Sequence, residues 1–492
     1  MNLDDLHLLA RNRSPKSLFS KRHIHLVGIK GVAVASLAQC LIDLGIRISG
    51  SDVEEEFVTQ HLLEKLHIPL FVGFDPSHVE KDVDLVIYTG AHKGRQNSEV
   101  QVAIQRSIPI ISQAEAIGQL MDKKKGVSVC GTGGKSTTSA MIAWIAHVAG
   151  IHPSFTVGVG NIPDLHKTGE FSIDERSQWF IAEADEYAVD PLVDHRPRFI
   201  FQHPQIIICT NLSYDHPDIY ENFDQTKQTF LSFFNTLPQE GILILNGDDE
   251  RLTSLIPKLT TKARVVLVGQ HEGNDIWVRS TSVAEGKTQA QVTFHLQGKQ
   301  KKTEEVILLL PGVFNMMNAA FAIAAAVAIG IPRLTAIRAL AQFHGTMRRF
   351  EPKGNFQGIP CFDDYAHTPE EIETTLHALK EWYPHRKRIV IFQPHTYSRT
   401  KALFDQFSQS FHDADEIYFL DIFASAREAE DSSVSSDRLA EAVKKNESDK
   451  KVKNVKTVEC AADVVKLAGP QSVIVTMGAG DVYKIWSLIE LK

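Results

Sequence analysis

At roughly 150 residues per domain, a chain of 492 residues has room for about three compact domains. Fifty-two Lys and Arg against 60 Asp and Glu give a formal charge of −8, with no basic segment dense enough to neutralise a phosphate backbone, so no nucleic-acid partner is expected. With 43% hydrophobic and 23% charged residues the composition is that of a soluble globular protein, and the longest small-apolar stretch, 319–331, is too short to span a bilayer.

The opening segment, MNLDDLHLLARNRSPKSLFSKR, carries an acidic pair where an export signal is basic, and no unbroken apolar core. Five widely spaced cysteines, Cys40, Cys130, Cys209, Cys361 and Cys460, form no CxxC pair. Both features point to a cytoplasmic chain with buried thiols. Short β-branched runs then alternate with helical patterns, which predicts an α/β fold on mostly parallel sheets. The predicted strands are 23–27, 85–88, 127–130, 179–182, 206–209, 242–245, 265–268, 389–392, 417–420 and 473–475. Boundaries at the lysine run 123–125 and at 344–349 divide the chain into blocks 1–124, 125–345 and 346–492.

The first strand runs into Gly28-Ile-Lys30-Gly31-Val-Ala33 and a helix, and Ser51 and Asp52 follow about twenty residues later. This is a Rossmann-like start, except that Lys30 and Ala33 stand where a dinucleotide fingerprint has glycine. Another diphosphate, or close packing alone, fits the turn at least as well as NAD.

The second block opens on a phosphate cradle. A strand ends in Gly131-Thr132-Gly133-Gly134-Lys135-Ser136-Thr137 and a helix follows. Backbone N–H groups and the helix N-terminus attract phosphate oxygens, Lys135, set in a solvent-open turn, reaches the β/γ-phosphates, and the Ser136 hydroxyl suits Mg²⁺. The next strand releases Glu183, Asp185 and Glu186 at its C-terminal end, hard oxygen ligands suited to the same ion. A third strand runs through Thr210-Asn211 to Asp215-His216, an imidazole placed for a second metal or a phosphate. Residues 275–310 have alternating, polar-rich strands expected as an antiparallel insertion or sheet edge. The third block contributes Arg348-Arg349, Asp363-Asp364-Tyr365-Ala-His367 and His395-Thr396-Tyr397-Ser-Arg399, whose arginines can clamp an acid group. The Lys/Glu/Ser-rich stretch 430–456 reads as a mobile surface.

Together these motifs resemble the Mur ligase family, the ATP-dependent amide-forming enzymes of peptidoglycan assembly, and most closely its branch that adds L-alanine to UDP-N-acetylmuramate. The resemblance rests on HLVGIKGVAVASLA with SGSD, CGTGGKSTT, EADE, TNLSYDHPDIY, GVFNMMNAA, FHGTMRRFE, DDYAHTPEEI, FQPHTYSRT, DIFASARE and VTMGAGDVY. It implies three domains: a Rossmann-like one holding the UDP-sugar, a central P-loop ATPase-like one, and a Rossmann-like C-terminal one that closes over ATP and brings the amino acid. It further implies that Lys135 holds the β/γ-phosphates, that Ser136 and Glu183 bind one Mg²⁺ and His216 a second, and that Asn318 lies near adenine. Arg349 and Asp364 would meet the nucleotide, Tyr365, His367 and Arg399 the amino acid, and Gly28, Gly31, Ser51, Asp52 and Thr89 the UDP group. The expected partners are UDP-N-acetylmuramate and L-alanine, with the chain a monomer or homodimer.

ATP would phosphorylate the muramoyl carboxylate, and the amine would displace phosphate from the acyl phosphate through a tetrahedral intermediate. Phe314, Thr368 and Thr396 replace residues common in relatives, and Lys30 interrupts the glycine turn; Leu231 sits near the register at which some later-acting relatives carry a carbamylated lysine, which favours the alanine-adding branch. Tyr187 after EADE is shared with the branch that attaches a preformed tripeptide in recycling, which is the alternative reading. An NAD(P)-dependent oxidoreductase and a nucleotide-binding switch without turnover are the readings from other classes.

Overall fold

The computed structural model describes residues 17–214, 219–284, 286–295, 300–424 and 430–492. Asp215, His216 and part of the DIFASARE motif lie outside the described residues. Two compact units form, the second made of the described residues of 280–290, 307–316 and 344–492, the first of the remainder up to 343.

The first unit begins with a parallel sheet in the order β3-β2-β1-β4-β5, built from β1 (His23–Val27), β2 (Arg47–Asp52), β3 (Leu70–Val72), β4 (Leu85–Tyr88) and β5 (Ile110–Ser112). All five residues of β1 are buried, as a strand covered on both faces requires. The polar His23 and His25 are accommodated there by bonding Ser49 Oγ at 2.9 and 3.0 Å. The order reverses at β1, between β2 and β4, and helix α1 (Val32–Asp43) starts beyond that reversal, where open sheets leave a ligand crevice.

A ten-stranded sheet follows. Its strands are β6 (Lys125–Cys130), β7 (Ser154–Thr156), β8 (Gly169–Glu170), β9 (Trp179–Glu183), β12 (Pro204–Cys209), β13 (Ile242–Asn246), β14 (Arg264–Gly269), β15 (Ile276–Ala284), β16 (Lys287–Phe294) and β17 (Lys302–Leu308), in the order β17-β16-β15-β14-β13-β12-β6-β9-β7-β8. The expected edge at 275–310 is therefore β15 to β17. A separate antiparallel hairpin, β10 (Ala188–Asp190) and β11 (Asp194–Pro197), lies between β9 and β12 in the chain. The three strands expected to carry chemistry are neighbours: β6 pairs in parallel with β12 and β9, with Cys130 opposite Cys209 and Val129 opposite Glu183. Parallel register thus brings the glycine turn, Glu183 and Thr210 to one edge. Helix α2 (Lys135–Val148) continues from that turn, and α3 (Val313–Ala328) lies further along the chain.

The second unit holds the sheet β18-β19-β23-β20-β21-β22, with β18 (Glu351–Phe356), β19 (Ile359–Asp364), β20 (Lys387–Phe392), β21 (Glu416–Leu420), β22 (Lys451–Lys456) and β23 (Ser472–Met477). Only β18, antiparallel to β19, departs from parallel pairing. Met477 is level with both Asp364 and Phe392, so the third-block motifs also open from one edge. Helix α4 (Pro369–Trp382) covers the sheet, capped by Thr368 with Glu371.

Two expectations are corrected. The stretch 430–456 is ordered, with a helix at Ser436–Asn446 and β22 paired to β21, because Leu439, Ala440 and Val443 form a buried stripe among its charges. Four cysteines are buried as expected, but Cys460 is exposed, since the buried residues of its helix are Ala461, Ala462 and Val465.

Candidate active site

The glycine turn needs its glycines. Gly131 and Gly134 have φ of +126° and +83°, the left-handed region, and a Cβ on Gly134 would lie 2.5 Å from Asn318 Oδ1. The next strand end braces the loop. Gly133 N donates to Asn211 Oδ1 at 2.8 Å, Asn211 Nδ2 donates back to Gly133 O at 3.2 Å, and Ser213 N donates to Thr132 Oγ1 at 2.8 Å. Asn318, on α3, accepts from Thr138 Oγ1 at 3.3 Å, which places it beside the first turn of α2. Gly134→Ala should weaken ATP binding at least tenfold, since it adds about 1–2 kcal/mol of backbone strain to a steric collision. Equilibrium nucleotide titration checks this; unchanged affinity would refute the cradle's dependence on that shape.

Lys135 is not in a solvent-open turn, a third correction to the sequence reading. Its side chain is 14% exposed, donating to Gly131 O at 2.7 Å and to Glu186 at 3.1 and 3.2 Å, because β9 delivers Glu186 beside the turn. Burial alone disfavours the ammonium, yet Glu186, Asp185 and Glu183 together hold its pKa above the ordinary lysine value. Ser136 Oγ donates to Glu183 Oε2 at 2.9 Å, and Gly158 N donates to Glu183 Oε1. Burial, then the charge of Asp185, raises the Glu183 pKa. A hydroxyl and a buried carboxylate side by side are a hard-oxygen donor set suited to Mg²⁺, which would relieve the cost of ionising Glu183 there. Gln202 braces this edge from beneath, donating to Glu183 O at 2.7 Å while accepting from Ser128 Oγ at 2.6 Å.

At the N-terminal crevice Gly28 has φ +80°, and a Cβ there would lie 2.5 Å from Thr89 Cγ2, so Thr89 walls the turn. Gly31 sits at the N-cap of α1. Asp52 is turned inward, accepting from Lys30 N at 2.7 Å and Val53 N at 2.8 Å and pairing with His92 at 3.3 Å. Ser51 Oγ donates to the buried Glu99. An inward Asp52 does not present the carboxylate that a nicotinamide cofactor's ribose would meet.

In the second unit Asp364 accepts from Phe350 N and Ala366 N, both at 2.7 Å, and burial raises its pKa to about 7. The two adjacent arginines differ. Arg348 points inward, bonding Asp363 Oδ2 at 2.9 Å, whereas Arg349 lies 4.9 Å over the Tyr365 ring and 4.0 Å from Glu371. His367 Nδ1 is 3.0 Å from Tyr365 O, and its ring meets those of Tyr365 and His395 edge-on. Arg399 is buried, with Nη1 3.3 Å from His395 Nδ1.

Sequence models of one family match consecutive stretches: "Mur ligase family, catalytic domain" over 23–125, "Mur ligase middle domain" over 129–326, and "Mur ligase, glutamate ligase domain" over 348–480. A UDP-N-acetylmuramate–L-alanine ligase from Clostridium acetobutylicum is 37% identical over 472 residues, covering 96% of this chain and 97% of its own. The chain belongs to the Mur ligase family. Among solved Mur ligase structures, a UDP-N-acetylmuramate-alanine ligase from Thermotoga maritima has a TM-score of 0.77 at 25% identity, covering 95% of this chain and 97% of its own. A murein peptide ligase from Psychrobacter arcticus has a TM-score of 0.69, also at 25% identity, covering 96% and 100%. The three sheets are thus the three-domain α/β architecture of Mur ligases.

Within this Mur ligase site, sequence reasoning left out Glu186 as partner of Lys135, Asn211 and Ser213 as braces of the loop, and Gln202 beneath Glu183. Glu186 had a signal as the third carboxylate of EADE, and Asn211 and Ser213 lie within TNLSYDHPDIY; Gln202 had none. Among the described residues no helix is long and apolar enough to cross a membrane.

Proposed function

We propose that this chain is an ATP-dependent ligase, acting in the cytoplasm, that joins L-alanine to the carboxylate of UDP-N-acetylmuramate. The observation that carries this reading is the paired construction of the glycine turn, Lys135 on Glu186 and Ser136 on Glu183, in a chain 37% identical throughout to a relative of that name. In the proposed reaction a carboxylate oxygen bonds to the γ-phosphorus as ADP leaves, the amine then bonds to the acyl carbon, and phosphate departs with its electron pair.

Lys135 neutralises and orients the β/γ-phosphates, and the amides of the glycine turn and the N-terminus of α2 stabilise their charge. Ser136 and Glu183 would hold a Mg²⁺ and His216 a second, the ions supplying further neutralisation of the triphosphate. Residues 1–124 are assigned to the UDP-sugar, through Gly28, Gly31, Ser51, Asp52 and Thr89; 125–345 to ATP, including Asn318. Residues 346–492 are assigned to the amino acid through Tyr365, His367 and Arg399, and to the nucleotide through Arg349 and Asp364.

The test is phosphate release with ATP, Mg²⁺ and UDP-N-acetylmuramate against L-Ala, L-Ser, Gly and the recycled murein tripeptide. L-Ala should give the highest kcat/KM; preference for the tripeptide, or ATP turnover that ignores the amine, would overturn the reading.

A further inference from the structure

We infer that Arg198, a central-domain residue, binds the diphosphate of the UDP-sugar across the N-terminal crevice; this rests on the function proposed above. Arg198 is 9% exposed, yet its guanidinium meets only neutral acceptors, and all at long range. Nε is 3.4 Å from Ala188 O, Nη1 is 3.4 Å from Gln113 Oε1 and 3.5 Å from Tyr187 Oη, and Nη2 is 3.5 Å from Thr89 Oγ1. Among the described residues no carboxylate lies within ion-pair distance of it, whereas the equally buried Arg348 has Asp363 at 2.9 Å. A buried cation without a counter-charge is costly to keep, and its five donors remain unsaturated at these distances. An anion supplied by a ligand removes both deficits.

The surroundings indicate which anion. Thr89, the acceptor facing Nη2, is the wall of the Gly28 turn, and the turn leads through Gly31 into the N-terminus of α1 at the reversal of strand order. Backbone amides at a helix start attract phosphate oxygens, and a planar guanidinium fork that meets the wall of the same turn can bond the same anion. The fork is held in place. Its Cζ lies 4.4 Å from the centre of the Tyr187 ring, and Tyr187 Oη donates to Asp185 Oδ2 at 2.8 Å. The β10–β11 hairpin, which carries the chain to Arg198, is tied to the N-terminal domain: Arg95 N donates to Asp190 Oδ2 at 2.7 Å, and a Cβ on Gly90 would lie 2.6 Å from Val189 O. Arg198 is therefore held in position beside Thr89, at the wall of the Gly28 turn.

Calorimetric titration of the full chain with UDP, UDP-N-acetylglucosamine, UDP-N-acetylmuramate and ATP tests this in Arg198→Met and Arg198→Lys. The methionine variant should weaken all three uridine ligands about 100-fold and leave ATP affinity unchanged, as expected for loss of one buried charge partner; lysine, a point charge without the fork, should recover part of it. Unchanged affinity for UDP overturns the inference, as does a loss confined to UDP-N-acetylmuramate, which would assign the guanidinium to the sugar's carboxylate. Melting curves check folding: a purely structural arginine would lower the melting temperature in Arg198→Met and leave the UDP Kd alone. If the unaltered chain bound no UDP-sugar at all, the proposed function would fail instead.

Discussion

Lys135→Ala is expected to lower turnover about 10³-fold, the loss of roughly 3–4 kcal/mol of transition-state stabilisation for a charge clamp on transferring phosphoryl oxygens. It should also destabilise the chain, because Glu186, with a side chain only 4% exposed, would lose the ammonium that faces it. Breaking such a pair on one side typically costs about 3–5 kcal/mol. The two effects separate in Lys135→Ala/Glu186→Gln. Removing both charges should restore most of the stability, read by denaturant unfolding, while phosphate release stays lost. Recovery of turnover in the double variant would show that Lys135 serves only to neutralise Glu186, and would remove it from the chemistry.

Glu183→Gln should lower kcat about 10²–10³-fold and raise the Mg²⁺ concentration needed for half-maximal rate. Its pH behaviour has a definite sign. Burial and the Asp185 charge place the Glu183 pKa above the ordinary glutamate value, so the folded protein holds this proton more tightly than the unfolded chain does. Without divalent cation, the stability contributed by this group is present at low pH and is lost as pH rises through the folded pKa. Glu183→Gln should therefore leave the metal-free fold as stable as before, or more so, near neutral pH. A cation competes with the proton for the same oxygens, so the acid limb of the unaltered enzyme should move to lower pH as Mg²⁺ is raised. The glutamine variant should lack that movement. An acid limb insensitive to Mg²⁺ would sink the assignment.

Much of this site was legible because its signals are local. The run from β6 through the glycine turn to α2 combines a buried strand, left-handed glycines and a helix start within about twenty residues, and Glu183 ends an apolar strand of its own, β9. What was missed depends on non-local pairing. Glu186 reaches Lys135 across 51 positions of sequence because β9 lies beside β6, and no periodicity announces which strand neighbours which. Arg198, in the stretch DHRPRF, reads as one more surface charge until the hairpin before it is seen clasped by the N-terminal domain. The helix within 430–456 failed for a different reason: its apolar stripe of Leu439, Ala440 and Val443 is narrow, and the surrounding Lys and Glu dominate any composition count. Asp52 shows the limit of a spacing rule, since the position fits a ribose-binding acid while the carboxylate binds the turn itself.

The bond from Gly133 N to Asn211 Oδ1 gives the glycine turn a rigidity of its own. An amide that in a looser loop would wait for a phosphate to order it is already engaged by the neighbouring strand end. The turn is a finished mould before any guest arrives, so little conformational entropy remains to be surrendered on docking, and selectivity between nucleotides resides in fit rather than in adjustment.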